Sequence, residues 1–387
     1  MEVRYIVPAA DCKRIKDKLE EANVYDKRRR IEQTDDGRLA IPVTHQALKL
    51  RDPSFDSINF RHDDVRHLSP HRPSPKDKLK MAVESSLHLD PALEAEIPTS
   101  WEIRGDLILL SRDAFRSKKW EESVPDLWDR ICACLGVSRV ARQSVIKSDE
   151  FRSPTVDLVR GDSGWVKHKE NGIVYCYDVT KCMFSSGNIS EKQWIGRLDC
   201  QSEVIVDLYA GIGYFTLTYL IHANARHVHA CEWNRNAVTA LRESLEANNV
   251  STRCTIYEGD NRKVAPHGIA DRVNLGLIPS CEDSWETACK CLNRSTGGWL
   301  HIHGNVNSRL AGLDICSSKQ RWMAFVVKSI KKIFSDLYSC ELQWTVSGSS
   351  PRKVKSYGPH IWHMVVDVEC RPGHVNAETA DSITETH

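Results

Sequence analysis

Acidic side chains stand at the ends of three apolar runs in this chain, and the first run opens onto two closely spaced glycines. Val204-Ile-Val-Asp-Leu-Tyr-Ala-Gly-Ile-Gly-Tyr-Phe-Thr216 begins with three β-branched residues, which predicts a buried parallel strand with Asp207 near its carboxyl end. Ala210-Gly211-Ile212-Gly213 then predicts a tight turn into a helix carrying Phe215, Leu217, Tyr219, Leu220 and Ile221. A strand, a glycine turn and a helix are how doubly wound proteins bring backbone N–H groups against a nucleotide. Val228-His-Ala-Cys-Glu232 predicts a second strand ending in an acid, and a carboxylate there can accept both hydroxyls of a ribose. Cys254-Thr-Ile-Tyr-Glu-Gly-Asp-Asn261 predicts a third. Its terminal Asp260 and Asn261 suit the exocyclic amine and ring edge of adenine. The turn lacks the G-x-G-x-x-G pattern, so no helix N-terminus is prepared for a pyrophosphate. One nucleoside on an uncharged linker fits these residues, and S-adenosylmethionine is the candidate of that kind.

Metal chemistry is the other possibility raised by residue type. Cys132-Ala-Cys134, and Cys289-Lys-Cys291 with His301-Ile-His303 downstream, lack the paired C-x₂-C spacing of a zinc site, and no metal is expected. His301 and His303 alternate with Leu300 and Ile302, so they share one face of a strand. The chain has 14 cysteines. Several lie in strand-like apolar runs, and Met-Glu-Val-Arg-Tyr-Ile-Val-Pro at the N-terminus is not a secretory pattern. Reduced core thiols in a cytoplasmic protein are the expectation.

These residues need a large sheet to position them, and the chain is long enough for one. Its 387 residues support two or three domains, and 41% hydrophobic with 27% charged residues is ordinary for a globular protein. A net charge of +1 means that a nucleic-acid partner would be met by a local patch. No apolar run approaches the length of a membrane span.

Alternation of strands and helices predicts an α/β fold with a mainly parallel, Rossmann-like sheet over 201–370, preceded by smaller α+β domains. A small N-terminal unit is expected over 1–50. It has a strand Arg4–Pro8, a helix Ala10–Glu21 with Ile15 and Leu19 inward, a hairpin turn at Asp35-Asp-Gly37 and a strand Leu39–Val43. Prolines at 53, 70, 73, 75, 91 and 98 predict a partly disordered linker over 51–98, with a helical pattern only in Leu79–Leu89. Residues 99–200 are expected to be an α+β domain. It would hold one strand over Glu102–Leu110, one helix over Trp120–Leu135, strands over Ser138–Ile146 and Thr155–Val159, and a hairpin turning at Asn171-Gly172. Within 201–370 the further expectations are a helix Asn236–Asn248 with Asn234 as its N-cap, strands Asp271–Pro279 and Gly298–His303, a helix Gln320–Leu337, and strands Leu342–Val346 and His360–Glu369. A polar tail covers 371–387. Basic residues at Lys13–Arg30, and Arg139, Arg142, Lys147, Arg152, Arg160, Lys167 and Lys169 in the second domain, are candidates for contacting phosphates.

From Trp101 to Cys370 the chain resembles the tRNA wybutosine-synthesizing protein 2 aminocarboxypropyltransferases, relatives of the tRNA guanine-N1 methyltransferases. The resemblance rests on Arg152-Ser-Pro-Thr-Val-Asp157, His168-Lys-Glu-Asn-Gly172, Asp178-Val-Thr-Lys-Cys-Met-Phe-Ser-Ser-Gly-Asn188, the glycine turn and Ala230-Cys-Glu-Trp-Asn234. It continues in Gly259-Asp-Asn-Arg262, Leu275-Gly-Leu-Ile-Pro-Ser280, His301-Ile-His303 and Lys355-Ser-Tyr-Gly-Pro-His360. The Asp178 and Leu275 runs are the specific ones, since many methyltransferases share the glycine turn.

The resemblance implies transfer of the 3-amino-3-carboxypropyl group of S-adenosylmethionine to C-7 of the tricyclic wyosine precursor in tRNA-Phe, next to the anticodon, with release of methylthioadenosine. It implies that Ser185 and Lys192 contact the cofactor, with Lys192 at its carboxylate, that Glu232 takes the ribose, and that Asp260 and Asn261 take the adenine. Asp207 and the Ala210, Gly211 and Gly213 backbone would shape the pocket. Ile278, Pro279 and Ser280 would face the target base. No general base is assigned; Tyr209, His301 and His303 are within reach in principle. The family usually follows the Glu-Lys pair with a hydrophobic residue and an arginine, where this chain has Gln193-Trp194. Two other readings are a tRNA guanine-N1 methyltransferase and a tRNA-binding protein that has lost catalysis.

Overall fold

A computed structural model describes residues 3–27, 29–33, 37–44, 46–47, 74–84, 91–144, 154–309, 315–338 and 343–373. Two compact units divide between Lys78 and Leu79. In the first, β1 (Val3–Val7), α1 (Cys12–Glu21), β2 (Glu32–Gln33) and β3 (Leu39–Val43) form a small antiparallel sheet in the order β1-β3-β2 with one helix. Ile15 and Leu19, four residues apart on α1, pack with Tyr5, Val7, Ile41 and Val43. The expected turn at Asp35-Asp36 and residue Arg28 of the basic cluster lie outside the described residues.

Helix α2 (Pro75–Glu84) runs across that division, and in the second unit α3 (Pro91–Glu94) precedes β4 (Glu102–Arg104) and β5 (Leu107–Ser111). Leu79, Val83 and Leu93 are buried with Leu110, Phe115 and Trp120, so residues 75–84 and 91–94 are packed structure and not linker. Residues 51–73 and 85–90 lie outside the described residues. The single strand expected over Glu102–Leu110 is a hairpin. Gly105, at φ +60°, turns the chain, and a Cβ there would meet the Lys167 carbonyl oxygen at 2.7 Å. The single helix expected over Trp120–Leu135 is two, α4 (Lys119–Ser123) and α5 (Leu127–Leu135), because Pro125 cannot continue a helix and biases Val124 away from helical backbone. With β6 (Arg139–Gln143) and β7 (Val156–Arg160) these strands make a sheet in the order β4-β5-β6-β7. Lys147 and Arg152 lie outside the described residues. The hairpin β8 (Trp165–Glu170) and β9 (Ile173–Asp178) turns at Asn171 and Gly172, both at positive φ, as an Asn-Gly turn requires. Helix α6 (Ile189–Ile195) follows.

The large sheet is built from β10 (Val204–Asp207), β11 (His227–Glu232), β12 (Cys254–Glu258), β13 (Arg272–Leu275), β14 (Gly298–Asn307), β15 (Trp344–Gly348), β16 (Arg352–Gly358) and β17 (Ile361–Pro372). Its order is β12-β11-β10-β13-β14-β17-β15, with β16 pairing β17. The five strands β10 to β14 run parallel; β15, β16 and β17 are antiparallel to their neighbours. Helices α7 (Thr216–Ile221), α8 (Arg235–Ala247), α9 (Asn261–Val264), α10 (Trp285–Cys291) and α11 (Ile315–Tyr338) connect them. The side chain of Asn234 caps α8 by accepting the Asn236 N–H at 3.0 Å.

Leu217, Tyr219, Leu241 and Leu245 cover one face of the sheet, and Leu292, Ile330 and Phe334 the other, each buried apolar side chain contributing roughly 1.5–3 kcal/mol. The first of these cores also contains Leu107, Leu109, Ala141 and Val166, and Ser244 of α8 bonds the Cys176 backbone of β9 at 2.8 Å. The α+β segment therefore shares a core with the sheet, and no break in packing falls at residue 200. The strand order reverses at β10, which has β11 on one side and β13 on the other. In open α/β sheets ligands bind at such a switch point, beyond the carboxyl ends of the strands.

Candidate functional site

A cavity of about 440 Å³ opens at that switch point, within the range of small-molecule sites. Its floor is the turn after β10. Asp207 does not line the cavity. It is fully buried, accepting Thr216 Oγ1 at 2.7 Å and Asn274 Nδ2 at 2.9 Å, and so joins the turn, helix α7 and strand β13. Gly211 lines the cavity at φ +56°, while Ala210 and Gly213 lie under it. Gly213 sits at φ +100°, and a Cβ there would run into Leu217 and Leu241 at 2.9 Å. Only glycine lets α7 and α8 close on the turn.

Glu232, at the carboxyl end of β11, lines the cavity with its carboxylate held by two backbone donors. Gly211 N–H reaches one oxygen at 2.7 Å and Asn234 N–H the other at 2.8 Å. Burial pushes its pKa up, opposed by those bonds. The Trp233 backbone also bonds this carboxylate; a carboxylate offers about four acceptor positions, so it keeps capacity for a ligand hydroxyl such as those of a ribose. Asp260 caps α9 through the Arg262 N–H and pairs with the Arg262 side chain. The Asn261 amide is committed, donating to Leu208 O at 3.0 Å and accepting from Ser284 Oγ at 2.8 Å. Both residues line the cavity beside the half-exposed Trp233.

The opposite wall is the segment from Lys181 to Asn188, of which Lys181, Cys182, Met183, Ser185 and Asn188 face the cavity. Phe184 anchors it from behind. Its ring lies 5.2 Å from Tyr175, 5.7 Å from Tyr177 and 4.9 Å from His168, with the Arg104 guanidinium 4.7 Å and the Lys192 ammonium 5.1 Å from its centre. Tyr214 donates its hydroxyl to Met183 O, tying the wall to the floor. Ser185 thus lines the cavity. Lys192 does not line the cavity: it is buried behind Phe184, in an ion pair with Glu170. Burial lowers its pKa, and Glu170 opposes that. Trp194 faces the Arg352 guanidinium at 3.5 Å, and Arg352 in turn pairs with Glu191 and Asp367. A guanidinium from β16 thus lies against the Gln193-Trp194 departure.

The far end of the cavity is formed by Gly276, Leu277 and Ile278 after β13 and by His363 on β17. Pro279 and Ser280 do not line it; they dock on β14 through Asn305 N–H to Pro279 O at 2.8 Å and a Ser280–Gly304 bridge. His301 points elsewhere, bonded to Asp367 at 2.7 Å and beside Arg272 at 3.3 Å. The Tyr209 hydroxyl is 2.6 Å from Ser284 Oγ, and burial pushes its pKa up, so it stays a neutral phenol. His303 lies 3.0 Å from His363. Sequence reasoning missed His363, which stands in the apolar run Ile361–Val368 and reads there as core. Among the described residues no cluster of His, Cys, Asp and Glu could hold a metal ion, and no helix is long and apolar enough to cross a membrane.

Comparison with known proteins points to one family. The model of the TRM5/TYW2 methyltransferase domain matches residues 166–317, and that of the TYW2 N-terminal domain matches residues 83–164. The tRNA wybutosine-synthesizing protein 2 homolog of Danio rerio is 41% identical over 95% of this chain and 98% of its own length. That of Bos taurus is 39% identical over 94% of each. Among solved structures, P. horikoshii TYW2 in complex with MeSAdo is similar with a TM-score of 0.58 and 26% identity, over 76% of this chain and 99% of that one.

Proposed function

The chain belongs to the tRNA wybutosine-synthesizing protein 2 family, and from that premise we propose that it transfers the 3-amino-3-carboxypropyl group of S-adenosylmethionine to C-7 of the wyosine precursor in tRNA-Phe. The observation that carries the reading is the cavity at the switch point. Glu232 stands at one end and His363 at the other, four strands apart across β11, β10, β13, β14 and β17. At ~4.8 Å per strand that is ~19 Å, enough for a nucleoside, its side chain and an acceptor base in line.

The residues present fit the donor. Glu232 would bind the ribose hydroxyls, Asp260 and the backbone beside Asn261 the adenine edge, and Trp233 its face. Gly211 brings main chain close, and Ser185 and Lys181 would meet the amino acid end. Ile278 would face the acceptor base. S-adenosylmethionine supplies an electrophilic carbon on a sulfonium that needs no further activation. The protein's task is to present the γ-carbon, and not the methyl, to that base, which is catalysis by positioning. Cytoplasmic action on tRNA goes with this reading.

The test uses donor labelled in the carboxyl carbon or, separately, in the methyl, with tRNA-Phe carrying the precursor. Carboxyl label should enter the tRNA. Methyl label entering instead would replace this reading with guanine-N1 methylation, and entry of neither label would leave a tRNA-binding protein.

A further inference from the structure

We propose that His363 accepts the proton that the acceptor base gives up, and that His303 holds the His363 ring in the tautomer this needs. The inference rests on the transfer reaction proposed above. When the acceptor carbon attacks, its electron pair forms the new C–C bond while the C–S pair leaves with sulfur as a neutral thioether. The acceptor ring is then positively charged and still carries its hydrogen on the attacked carbon. Removal of that hydrogen as a proton returns the C–H pair to the ring, so a lone pair must stand at the acceptor end of the cavity.

His363 supplies one. It lines the cavity at the end formed by Ile278, is 2% exposed, and its Nδ1 is buried with no protein partner. Its Nε2 lies 3.0 Å from His303 Nδ1. The register explains the pairing: His363 is opposite Asn305 on β14, so His303 is its diagonal neighbour on the same face. His303 is 1% exposed and touches Phe215, a cavity residue, ring to ring at 5.1 Å. One proton lies between the two rings. Placed on His363 Nε2 and donated to His303, it leaves the His363 Nδ1 lone pair without a protein partner.

Other bases in the cavity are committed or distant. Tyr209 is held by Ser284 and Asp260 by Arg262, and Glu232 stands at the opposite end of the cavity, four strands away. Asp283 is exposed and belongs to the nucleoside end, in the field of Arg262. The ionisable groups facing His363 are Lys355, opposite it on β16, and His303 on β14. Burial and then Lys355 push its pKa down to about 4, so its lone pair is available at neutral pH. A weak base is sufficient, because the hydrogen on a cationic ring carbon is strongly acidic.

The experiment measures single-turnover transfer of carboxyl label by full-length wild type, His363→Gln, His363→Ala and His303→Asn, with donor affinity by calorimetry. His363→Ala should transfer about 100-fold more slowly, with donor affinity within about twofold as the sign of an intact fold. Deuterium at C-7 should slow that variant and not the wild type, and added imidazole should restore part of its rate. His303→Asn should lower the rate less and move its pH profile. Nitrogen-15 spectra of the histidines in wild type should show His363 neutral and Nε2-protonated down to about pH 5. A His363→Ala enzyme that transfers at the wild-type rate, or an Nδ1-protonated His363, overturns the inference while leaving the transfer reading intact. A wild type that transfers no carboxyl label overturns both.

Discussion

The carboxylate of Glu232 accepts the backbone N–H of Gly211 at 2.7 Å, fastening the end of the second core strand to the turn after the first. One side chain thereby does two jobs, holding the floor of the cavity in shape and presenting its remaining acceptor positions to a ligand. Glu232→Ala should weaken S-adenosylmethionine binding by about 100-fold or more, since hydrogen bonds to a charged group contribute roughly 1.5–3 kcal/mol each and two are expected. Glu232→Gln should retain part of the affinity, because its amide oxygen can still accept the Gly211 N–H. Calorimetry on both variants checks this, and unchanged affinity in Glu232→Ala would remove the ribose assignment.

The ion pair of Lys192 with Glu170 carries a second prediction. Both groups are largely out of water, and removing one partner from such a pair costs roughly 3–5 kcal/mol because the other stays behind unpaired. Lys192→Met should destabilise the protein by about 3 kcal/mol in chemical denaturation, and Lys192→Met with Glu170→Gln should recover much of it. Donor affinity should fall only severalfold, through loosening of Phe184. Loss of donor binding with stability unchanged would instead make Lys192 a direct ligand of the donor carboxylate.

The sheet, the hairpin at Asn171-Gly172 and the Asn234 cap were legible because each is written locally, as an apolar run, a turn dipeptide or a capping side chain. Glu232 and Asp260 were legible for the same reason, since an acid at a strand end has one place to go in this fold. The break at Pro125 and the turn at Gly105-Asp106 were local too, yet flanking apolar periodicity masked them. Strand β16 was missed because Arg352-Lys-Val-Lys-Ser-Tyr-Gly358 leaves most side chains half-buried or exposed at the sheet's edge, so it has no apolar alternation. His363 and the Lys192–Glu170 pair were out of reach for another reason. Their partners lie 60 and 22 residues away, and only the register of β14 with β17, and the packing of α6 on the β8–β9 hairpin, brings them together.

Buried histidines set the pH response of the fold. Burial lowers the pKa of His363 and of His229 to about 4, and lowers those of His168, His227 and His303. An unfolded chain takes up these protons near pH 6.5. Between about pH 6.5 and 4 the unfolded state therefore binds more protons than the folded one, and stability falls as pH falls. Asp106, held at about 2 beside Arg139, matters only below about pH 4, whereas Asp207 and Glu232, raised by burial, take up protons more readily in the folded state and work against the histidines as pH falls. Denaturation at pH 7.5 and pH 5 should show a loss of roughly 2 kcal/mol from His363 alone, and His363→Gln should flatten that slope. Equal stability at both pH values would mean that the pair at His303 and His363 is hydrated in solution.

Binding of the tRNA backbone should run through fewer cations than the sequence offers. Arg139 is engaged with Asp106, Arg160 with Asp129, and Arg142 donates to Phe115 O while stacking on Trp128. These three hold the domain together. Lys167 and Lys169 differ: both project from the exposed face of β8, two residues apart, on the hairpin that leads into the cavity wall. Each phosphate that a lysine no longer neutralises reduces the slope of log affinity against log salt by about 0.7–0.9. Lys167→Gln with Lys169→Gln should therefore flatten the salt dependence of tRNA binding by up to about 2 and leave donor affinity unchanged. Arg139→Gln should instead lower the melting temperature. A double lysine variant with the wild-type slope would move the tRNA interface to another surface, where the basic residues of α1 are the next to be tested by the same titration.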